Sequence, residues 1–372
     1  MRVTLCVDSL EPQLAGIGRY TWELCKGIGR DSRISAAFFA NNRLVDEPGD
    51  LLVEGRLRTP RRRLVRAYRR WQAQRWLRSS IVHAPNFFLP GDAEMGVITV
   101  HDLSVFRYPD LHPPARVSQF ERSFQRSIDR AEHVITDCHS IRQEVMEFAG
   151  VAPELVTVVP LGVAAEFRPI TSEDREPVLK RYGLPLTGYG LTLSTLEPRK
   201  RIDRLLSAWS RVPDAVRDRC PLVICGGSGW NNEALHAKID DAVREGWVIS
   251  LGFVPDADLP AIYSGASIFA YPSVYEGFGL PPLEAMACGV PTIVATGSCL
   301  PEVTKGAAFE VDPDDIDGFA HLIARLFQDD QWRNEAISAG IQVANSYTWA
   351  RCVDETVAVY QQVNGTIGNE GR

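Results

Sequence analysis

Short apolar runs alternate with longer amphipathic stretches along the whole chain. Apolar runs without polar alternation predict strands that are covered on both faces, as in parallel sheets. The predicted strands are Val3–Val7, Ser35–Ala40, Ile81–His83, Val97–His101, His133–Thr136 and Val156–Val159, followed by Gly190–Ser194, Pro221–Cys225, Trp247–Leu251, Ser267–Tyr271, Pro291–Ala295 and Ala307–Val311. The repeated strand–helix order predicts an α/β fold of two doubly wound, Rossmann-like domains that face each other across a cleft.

The division between the two domains is expected near Phe167–Asp174, where proline and polar residues precede a fresh series of strands. The prediction is therefore an N-terminal domain over residues 1–168 and a C-terminal domain over residues 175–348. A last helix over residues 349–363 is expected to pack back on the N-terminal domain, and residues 364–372 are expected to be disordered.

Composition narrows the class of protein. The 372 residues are 45% hydrophobic and 23% charged, which is ordinary for a soluble globular protein. No run approaches the ~18 apolar residues that a membrane span needs. The cysteines lack metal-ligand or CxxC spacing, which favours buried thiols in a reducing cytoplasm over a disulfide framework. The net charge of −7 argues against general nucleic-acid binding.

Much of the positive charge is concentrated between Arg56 and Arg78, where arginines are interleaved with Tyr68, Trp71 and Trp76. A basic helix with aromatic residues can lie on an anionic membrane surface or hold a pyrophosphate-bearing acceptor. The alternative is a solvated helix whose tryptophan and leucine side chains pack on the core.

Two carboxylates with seven residues between them follow the strand Ser267–Tyr271. Glu276 lies in a glycine loop, and a helix is predicted to begin near Pro281 or Pro282, which places Glu284 in its first turn. The unpaired N–H groups at the start of that helix favour negative charge. The segment therefore suits a ligand that is both polyhydroxylated and anionic.

Two basic residues, Arg199 and Lys200, lie where the first strand of the second domain leads into a helix. Guanidinium and ammonium groups beside a helix N-terminus make a good diphosphate site, since a bound anion also relieves their conflict with the helix dipole. The alternative is a pair of surface residues after a turn.

Three weaker signals lie at other strand ends. His101 ends a buried strand, where it is either an active-site group or a structural histidine. Gly16 lies in a turn after the first strand, where glycine permits close approach of a ligand. In the loop 252–258, the backbone around Val254 and the carboxylate of Asp256 could read a guanine edge, unless an aspartate there is a helix N-cap.

Together these residues resemble the retaining glycosyltransferases of family 4, which have the two-domain GT-B architecture. The segment from Glu276 to Glu284 matches the family's E-x7-E motif. The resemblance extends over Leu193–Lys200, Ile224–Trp230, Leu300–Val303, Gly16–Tyr20, Val100–Ser104 and Val159–Gly162. The chain is most similar to bacterial mannosyltransferases that build lipopolysaccharide or exopolysaccharide. Two departures are Ser194–Thr195, where many members have glycine and arginine, and Asp137–Ser140 on the acceptor side.

The resemblance implies a role for each matching position. Arg199 and Lys200 would hold the donor diphosphate, and Glu284 would accept both ribose hydroxyls. The remaining implied positions surround the transferred sugar and the phosphates: Glu276, His101, Gly16 and the backbone amides of Phe278, Gly279 and Leu280.

The implied activity is transfer of a sugar from a nucleotide-sugar donor without a metal or other cofactor. GDP-mannose is the expected donor, and rhamnose, glucose and N-acetylglucosamine donors are the alternatives. The acceptor would be a glycan or a lipid-pyrophosphate-linked glycan bound by the N-terminal domain, and the nucleotide sugar would bind the C-terminal domain. The location would be cytoplasmic, on the inner face of the membrane if the basic helix docks there. The alternatives are a nucleotide-sugar epimerase of the same architecture, a non-catalytic nucleotide-sugar-binding scaffold, and a glycoside hydrolase, which also uses two carboxylates.

Overall fold

The computed structural model describes residues 1–54 and 63–370, and for residues 63–66 and 366–370 it describes the backbone alone. The chain forms two compact units. The first comprises the described parts of Met1–Leu103, Ala115–Gly162 and Trp349–Arg372, and the second comprises Ser104–Pro114 and Val163–Thr348.

Each unit is built on one sheet. The strands are β1 (Arg2–Cys6), β2 (Ser35–Ala40), β3 (Arg43–Val45), β4 (Ile81–Ala84), β5 (Met95–Val100), β6 (Ala131–Thr136), β7 (Val156–Val158), β8 (Gly190–Leu193), β9 (Leu222–Cys225), β10 (Val248–Gly252), β11 (Ile268–Tyr271), β12 (Thr292–Ala295) and β13 (Phe309–Val311). Their order is β3-β2-β1-β4-β5-β6-β7 in the first unit and β10-β9-β8-β11-β12-β13 in the second. All neighbouring strands are parallel except β2 and β3.

Helices connect these strands. They are α1 (Gly16–Arg30), α2 (Arg63–Ser79), α3 (Ser104–Arg107), α4 (Pro114–Ile128), α5 (His139–Ala149), α6 (Ser172–Arg181), α7 (Ile202–Arg211), α8 (Asp214–Arg217), α9 (Glu233–Arg244), α10 (Leu259–Gly265), α11 (Leu280–Ala287), α12 (Leu300–Thr304), α13 (Ile316–Gln328), α14 (Asp330–Asn345) and α15 (Trp349–Glu370). Short 3-10 turns occupy Pro48–Leu52, Pro109–Leu111, Pro153–Leu155 and Pro198–Lys200. Among the described residues, no helix is long and apolar enough to cross a membrane.

The strand order of each sheet reverses at one point. The chain moves outward from β1 to one side and from β4 to the other, and it does the same from β8 and from β11. In open parallel sheets, ligands bind outside the carboxyl ends of the strands at such a reversal. The fold therefore marks two places for ligands, one after β1 and β4 and one after β8 and β11.

The predicted α/β class and the two doubly wound sheets are confirmed, and each predicted strand is present within two residues of its predicted ends. The antiparallel strand β3 was not predicted. It pairs with β2 through a two-residue turn at Asn41 and Asn42, both with positive φ, which is the geometry of a tight hairpin.

Two boundaries differ from the sequence analysis. Helix α15 continues to Glu370 instead of ending at Val363, because no proline interrupts the pattern and helix formation propagates once begun. Its first half packs within the first unit, where Val353 lies so close to Gly27 of α1 that any side chain at position 27 would clash with it. The segment Ser104–Pro114 lies with the second unit, held by a hydrogen bond from Trp230 Nε1 to the carbonyl of Leu111.

Candidate active site

The loop that carries Glu276 depends on a glycine. Gly279 precedes α11 with φ 93°, and a Cβ atom there would come within 2.5 Å of Leu300. Helix α11 begins at Leu280, so the prolines occupy its second and third positions and Glu284 its fifth, one or two positions later than predicted. Phe278 is buried with its ring edge-on to Tyr347. Because Pro281 and Pro282 carry no N–H, the amides at this helix start that have no partner within the helix are those of Gly279 and Leu280, and both suit an anion.

Arg199 and Lys200 are brought to Glu276 by the sheet. They lie in the 3-10 turn after β8, and Glu276 lies in the loop after β11, which is the parallel neighbour of β8. Lys200 Nζ is 2.5 Å from Glu276 Oε1, and Arg199 Nη1 is 3.4 Å from Glu276 Oε2. The expected convergence of two cations and a carboxylate is therefore present, at the strand reversal of the second unit.

Further bonds hold this cluster in one geometry. Arg199 Nη1 donates to the carbonyl of Tyr275 at 2.8 Å, and Arg199 Nη2 lies 2.9 Å from Glu197 Oε1. Lys200 Nζ donates to the hydroxyl of Tyr271 at 3.0 Å. Sequence reasoning missed Glu197, which is 2% exposed and precedes the basic pair by two residues.

Burial and charge act in opposite directions on the ionisable groups of the cluster. Burial, reinforced by the Arg199 cation, lowers the pKa of Lys200, although Glu276 partly offsets this. Burial alone would raise the pKa of Glu276, but Lys200 and Arg199 outweigh it and the pKa is lowered. The Glu276 carboxylate is therefore ionised at neutral pH between two fixed cations.

The glycine turn after β9 supports this cluster from outside. Gly226 has φ 136°, and a Cβ atom there would lie 1.8 Å from the carbonyl oxygen of Ser194. At Gly229 a Cβ atom would lie 2.5 Å from the carbonyl oxygen of Leu196. Both glycines are required by the close approach of the segment that leads to Glu197 and the basic pair, so this turn fixes its neighbour's backbone.

Glu284 is held by a different partner. Its side chain is 2% exposed, and the hydroxyl of Tyr263 in α10 donates to Oε2 at 3.0 Å.

In the loop after β10, Val254 is buried and Asp256 is exposed. Asp258 stands just before α10 without capping it, because its carboxylate accepts from Arg181 and from Tyr182. The expected N-cap at this position is not formed by a side chain.

In the first unit, His101 is fixed by both ring nitrogens. Nδ1 lies 2.7 Å from Asp137 Oδ2, and Nε2 donates to the carbonyl of Pro85 at 2.9 Å. Asp137 follows β6 as His101 follows β5, and these strands are parallel neighbours. A sugar hydroxyl could bond to this ring only by replacing one of these two partners.

The His101–Asp137 pair holds a proton tightly. Burial lowers the pKa of His101, but the Asp137 carboxylate and the Pro85 carbonyl more than compensate, so the pKa is raised. Burial raises the pKa of Asp137 despite the neighbouring imidazole.

At Gly16, a Cβ atom would meet nothing within 4 Å, whereas at Gly18 it would lie 2.9 Å from the carbonyl of Ser9. Packing therefore requires glycine at position 18, and position 16 faces open space.

The basic helix is only partly described. Arg56, Arg61 and Arg62 lie outside the described residues. Along α2, Tyr68 is 61% exposed and Trp71 is 54% exposed, and the two rings lie 6.0 Å apart. The exposed residues around them include Arg69, Arg70, Arg75 and Arg78. The alternative in which tryptophan and leucine side chains of this helix pack on the core is therefore wrong for Trp71, but it is right for Leu77, which is 2% exposed.

Two family models match the chain. The model for glycosyl transferases group 1 matches residues 188–343, and the model for glycosyltransferase family 4 matches residues 14–167. The O-antigen chain mannosyltransferase B of Escherichia coli is 36% identical, over 97% of this chain and 100% of that protein. The serotype-specific mannosyltransferase WbdA of Escherichia coli is 30% identical, over 60% of this chain and 28% of its own length.

Solved structures share the fold. WaaG, a glycosyltransferase involved in lipopolysaccharide biosynthesis, superposes with a TM-score of 0.72 at 14% identity, over 96% of this chain and 99% of that chain. HepE of Anabaena in complex with UDP-glucose superposes with a TM-score of 0.71 at 19% identity, over 99% and 100%. At these identities the likeness shows the architecture alone.

Proposed function

Because the chain belongs to the group 1 and family 4 glycosyltransferases, we propose that it transfers mannose from GDP-mannose, with retention of anomeric configuration, to a glycan or lipid-linked glycan acceptor. The pathway proposed is synthesis of a surface polysaccharide, as for the O-antigen chain mannosyltransferase that the chain resembles along its whole length. The observation that carries the proposal is the cluster of Arg199, Lys200 and Glu276 at the strand reversal of the second unit.

The chemistry needs positive charge at the leaving group. In the proposed reaction the bond from the anomeric carbon to the diphosphate oxygen breaks, and a bond to the acceptor oxygen forms on the same face. The acceptor proton passes to the leaving diphosphate, so no side chain has to act as base. Arg199 and Lys200 would stabilise the developing anion, and each such donor is worth about 2.7–4 kcal/mol at the transition state.

Fixed geometry makes these cations effective. Both side chains are largely buried and bonded to carboxylates and backbone before any ligand arrives. Charges held in this way need no reorganisation during the reaction, unlike mobile surface lysines. Their presence also supports a metal-independent reaction, which remains part of the proposal.

The donor and nucleotide roles rest on neighbouring groups. Glu276 would bind hydroxyls of the transferred sugar, with the amides of Phe278, Gly279 and Leu280 around the sugar and phosphates. Glu284 would accept the ribose hydroxyls. Guanine is the proposed base because the exposed Asp256 offers two acceptor oxygens to its N1–H and N2–H donors.

The test is a transfer assay with defined donors. GDP-mannose, UDP-glucose and other nucleotide sugars are first compared by thermal shift, where a ligand at about 100 times its dissociation constant adds about 2.7 kcal/mol. The bound donor is then incubated with a mannose-terminated acceptor, and the anomeric configuration of the product is read by NMR. Product with an α-linkage from an α-linked donor is expected.

The same assay separates the alternatives. An isomerised donor in the absence of acceptor would identify an epimerase, and nucleotide-sugar binding with neither transfer nor isomerisation would identify a scaffold. Stabilisation by UDP-glucose without stabilisation by GDP-mannose would overturn the donor assignment.

Membrane contact is a second part of the proposal. We place the exposed aromatic and basic residues of α2 on an anionic lipid surface, where aromatic rings enter the interface and each basic residue adds about 1 kcal/mol. Replacing Arg69 and Arg70 with Ser should reduce sedimentation with phosphatidylglycerol vesicles. The matched control replaces the exposed Arg122 and Arg126 of α4 with Ser. Equal sedimentation of both variants would contradict membrane docking through α2.

A further inference from the structure

A cavity of about 360 Å³ lies in the first unit, whereas the cluster of Arg199, Lys200 and Glu276 belongs to the second. Its lining comes from the segments that follow β1, β2 and β4, together with Leu77 of α2. Its volume falls in the range of about 300–1,000 Å³ that is typical of small-molecule sites. Because β1 and β4 flank the strand reversal of this sheet, the cavity lies where parallel sheets bind ligands.

The hairpin between β2 and β3 brings two amide side chains to this cavity. Asn41 and Asn42 have φ angles of 51° and 59°, a conformation that asparagine tolerates better than most residues. The backbone N–H of Asn41 donates to Asp8 Oδ1 at 2.9 Å, which ties the turn to the segment after β1. Asp8, Asn41 and Asn42 are all exposed, so their remaining acceptor and donor atoms face solvent.

The other wall combines a carboxylate with an aromatic ring. Asp92 Oδ2 accepts from Gln74 Nε2 at 3.1 Å, which orients the carboxylate. Phe88, half-buried, lines the same cavity and is held edge-on to Phe120 with ring centres 4.9 Å apart. A fixed ring next to carboxylate and amide groups presents one apolar surface and several hydrogen-bonding atoms to the same ligand.

This combination of groups selects a neutral, polyhydroxylated ligand. Carboxylate oxygens accept from hydroxyl groups, and amides both donate and accept, which matches the hydroxyls of a sugar. The apolar face of a pyranose ring can pack on Phe88. Among the described side chains, Arg78 is the one basic group that pairs with either carboxylate, at 3.9 Å from Asp92. The two carboxylates therefore disfavour a phosphate or a uronic acid.

We propose that this cavity binds a neutral hexose unit of the acceptor glycan, through Asp8, Asn41, Asn42, Asp92 and the ring of Phe88. The proposal rests on the transferase function for its biological meaning, and it adds the chemical class of the acceptor: an uncharged sugar chain enters here, and not the pyrophosphate of a lipid carrier. Binding of the sugar itself requires neither the donor nor turnover.

Binding is tested first, without nucleotide. Protein labelled with ¹⁵N-asparagine is titrated with methyl α-mannobioside, and the side-chain amide signals of Asn41 and Asn42 are followed by NMR. Both should shift in a saturable manner, and Asn42→Gly should weaken binding by about tenfold, the effect of one lost hydrogen bond of about 1–1.5 kcal/mol. Glycine keeps the positive φ of the turn, so the variant removes the amide without straining the hairpin.

The matched control is Asn231→Gly, an exposed asparagine with φ 51° that lies outside the cavity. It should bind the disaccharide as the wild type does. Shifts absent at Asn41 and Asn42, or equal weakening in both glycine variants, would overturn the proposal. Tighter binding of inorganic pyrophosphate than of the disaccharide at these same signals would also overturn it.

Kinetics then connect the cavity to transfer. Asn42→Gly and Asp8→Asn should raise the acceptor KM about tenfold while leaving kcat and the donor KM unchanged, and the exposed Glu132→Gln of β6 should change none of them. An unchanged acceptor KM in an active enzyme overturns this site alone. A protein that binds the disaccharide but transfers no sugar overturns the proposed function and leaves the binding site standing.

Discussion

Replacement of Lys200 by Met tests the cluster on which the proposed function depends. Methionine keeps most of the buried aliphatic volume of lysine and removes the ammonium group that lies 2.5 Å from Glu276 Oε1. The substitution also removes the hydrogen bond to the hydroxyl of Tyr271. It therefore deletes one charge of a buried pair and leaves the other in place.

The expected loss of stability follows from that arrangement. Removing one partner of a buried ion pair costs about 3–5 kcal/mol, because the remaining charge is left without compensation. Here Arg199 Nη1 still faces Glu276 at 3.4 Å, so we expect the lower end, about 3 kcal/mol. Adding Glu276→Gln should recover part of this loss, with a coupling of about 1–3 kcal/mol between the two positions.

The expected loss of activity is separate from the loss of stability. If Lys200 stabilises the leaving diphosphate, Lys200→Met lowers kcat at least about a hundredfold, equivalent to about 2.7 kcal/mol. Urea denaturation gives the free energies of unfolding, and the transfer assay is run where the variant is fully folded. A folded variant with near-normal kcat would refute the diphosphate role, and strictly additive stabilities would refute the buried pair.

Acid adds an independent check of the same pair. The folded-state pKa of Glu276 lies below its ordinary value of 4.5, so its stabilisation is fully present above pH 4.5 and is lost as the pH falls through the lower, folded value. The stability difference between the wild type and Glu276→Gln should therefore shrink below pH 4.5. A difference that stays constant to lower pH would mean that the carboxylate is not preferentially ionised in the folded state.

Three further predictions concern other parts of the molecule. Glu284→Gln should weaken nucleotide binding more than it changes discrimination between donor sugars, which calorimetry with the nucleotide alone and with each donor would measure; the reverse order would contradict the ribose role. Gly226→Ala should destabilise the protein by at least about 2 kcal/mol, because the residue has a positive φ and its new Cβ would clash with the Ser194 carbonyl. The control Gly227→Ala, whose Cβ would meet nothing within 4 Å, should change the urea midpoint little. Burial and the nearby ring of His101 lower the pKa of His83 to about 3. The free energy of unfolding should therefore decline by up to about 1.4 kcal/mol per pH unit as the pH falls below 6.5, and His83→Gln should flatten that decline.

The fold could be predicted because its strands are short apolar runs in a repeated strand–helix order. Strand β3 was not predicted because a strand of three residues is too short to show a hydrophobic period, although Asn41–Asn42 between apolar neighbours is a hairpin signal. Helix α15 runs beyond its predicted end at Val363, because a glycine such as Gly365 without a following proline only weakens a helix.

The basic pair and Glu276 could be predicted as one site because each follows a strand end. The partner of His101 could not be predicted, because it depends on which strands are neighbours in the sheet. Asp137 meets His101 only because β6 lies beside β5, and sequence separation gives no sign of that order. Glu197 was hidden for another reason: a single glutamate before a proline has no distinguishing pattern, and its value comes from burial against Arg199.

Both units thus use the same device at a strand end. A polar side chain after one strand is held by a side chain after the parallel strand beside it, as in Lys200–Glu276 and His101–Asp137. Such groups are bonded to one another and excluded from water, so their positions are set before a ligand binds. The consequence is that chemistry and stability share the same bonds. Any substitution in these pairs alters both, and only double-mutant cycles combined with assays of the folded variant can separate a catalytic effect from loss of the fold.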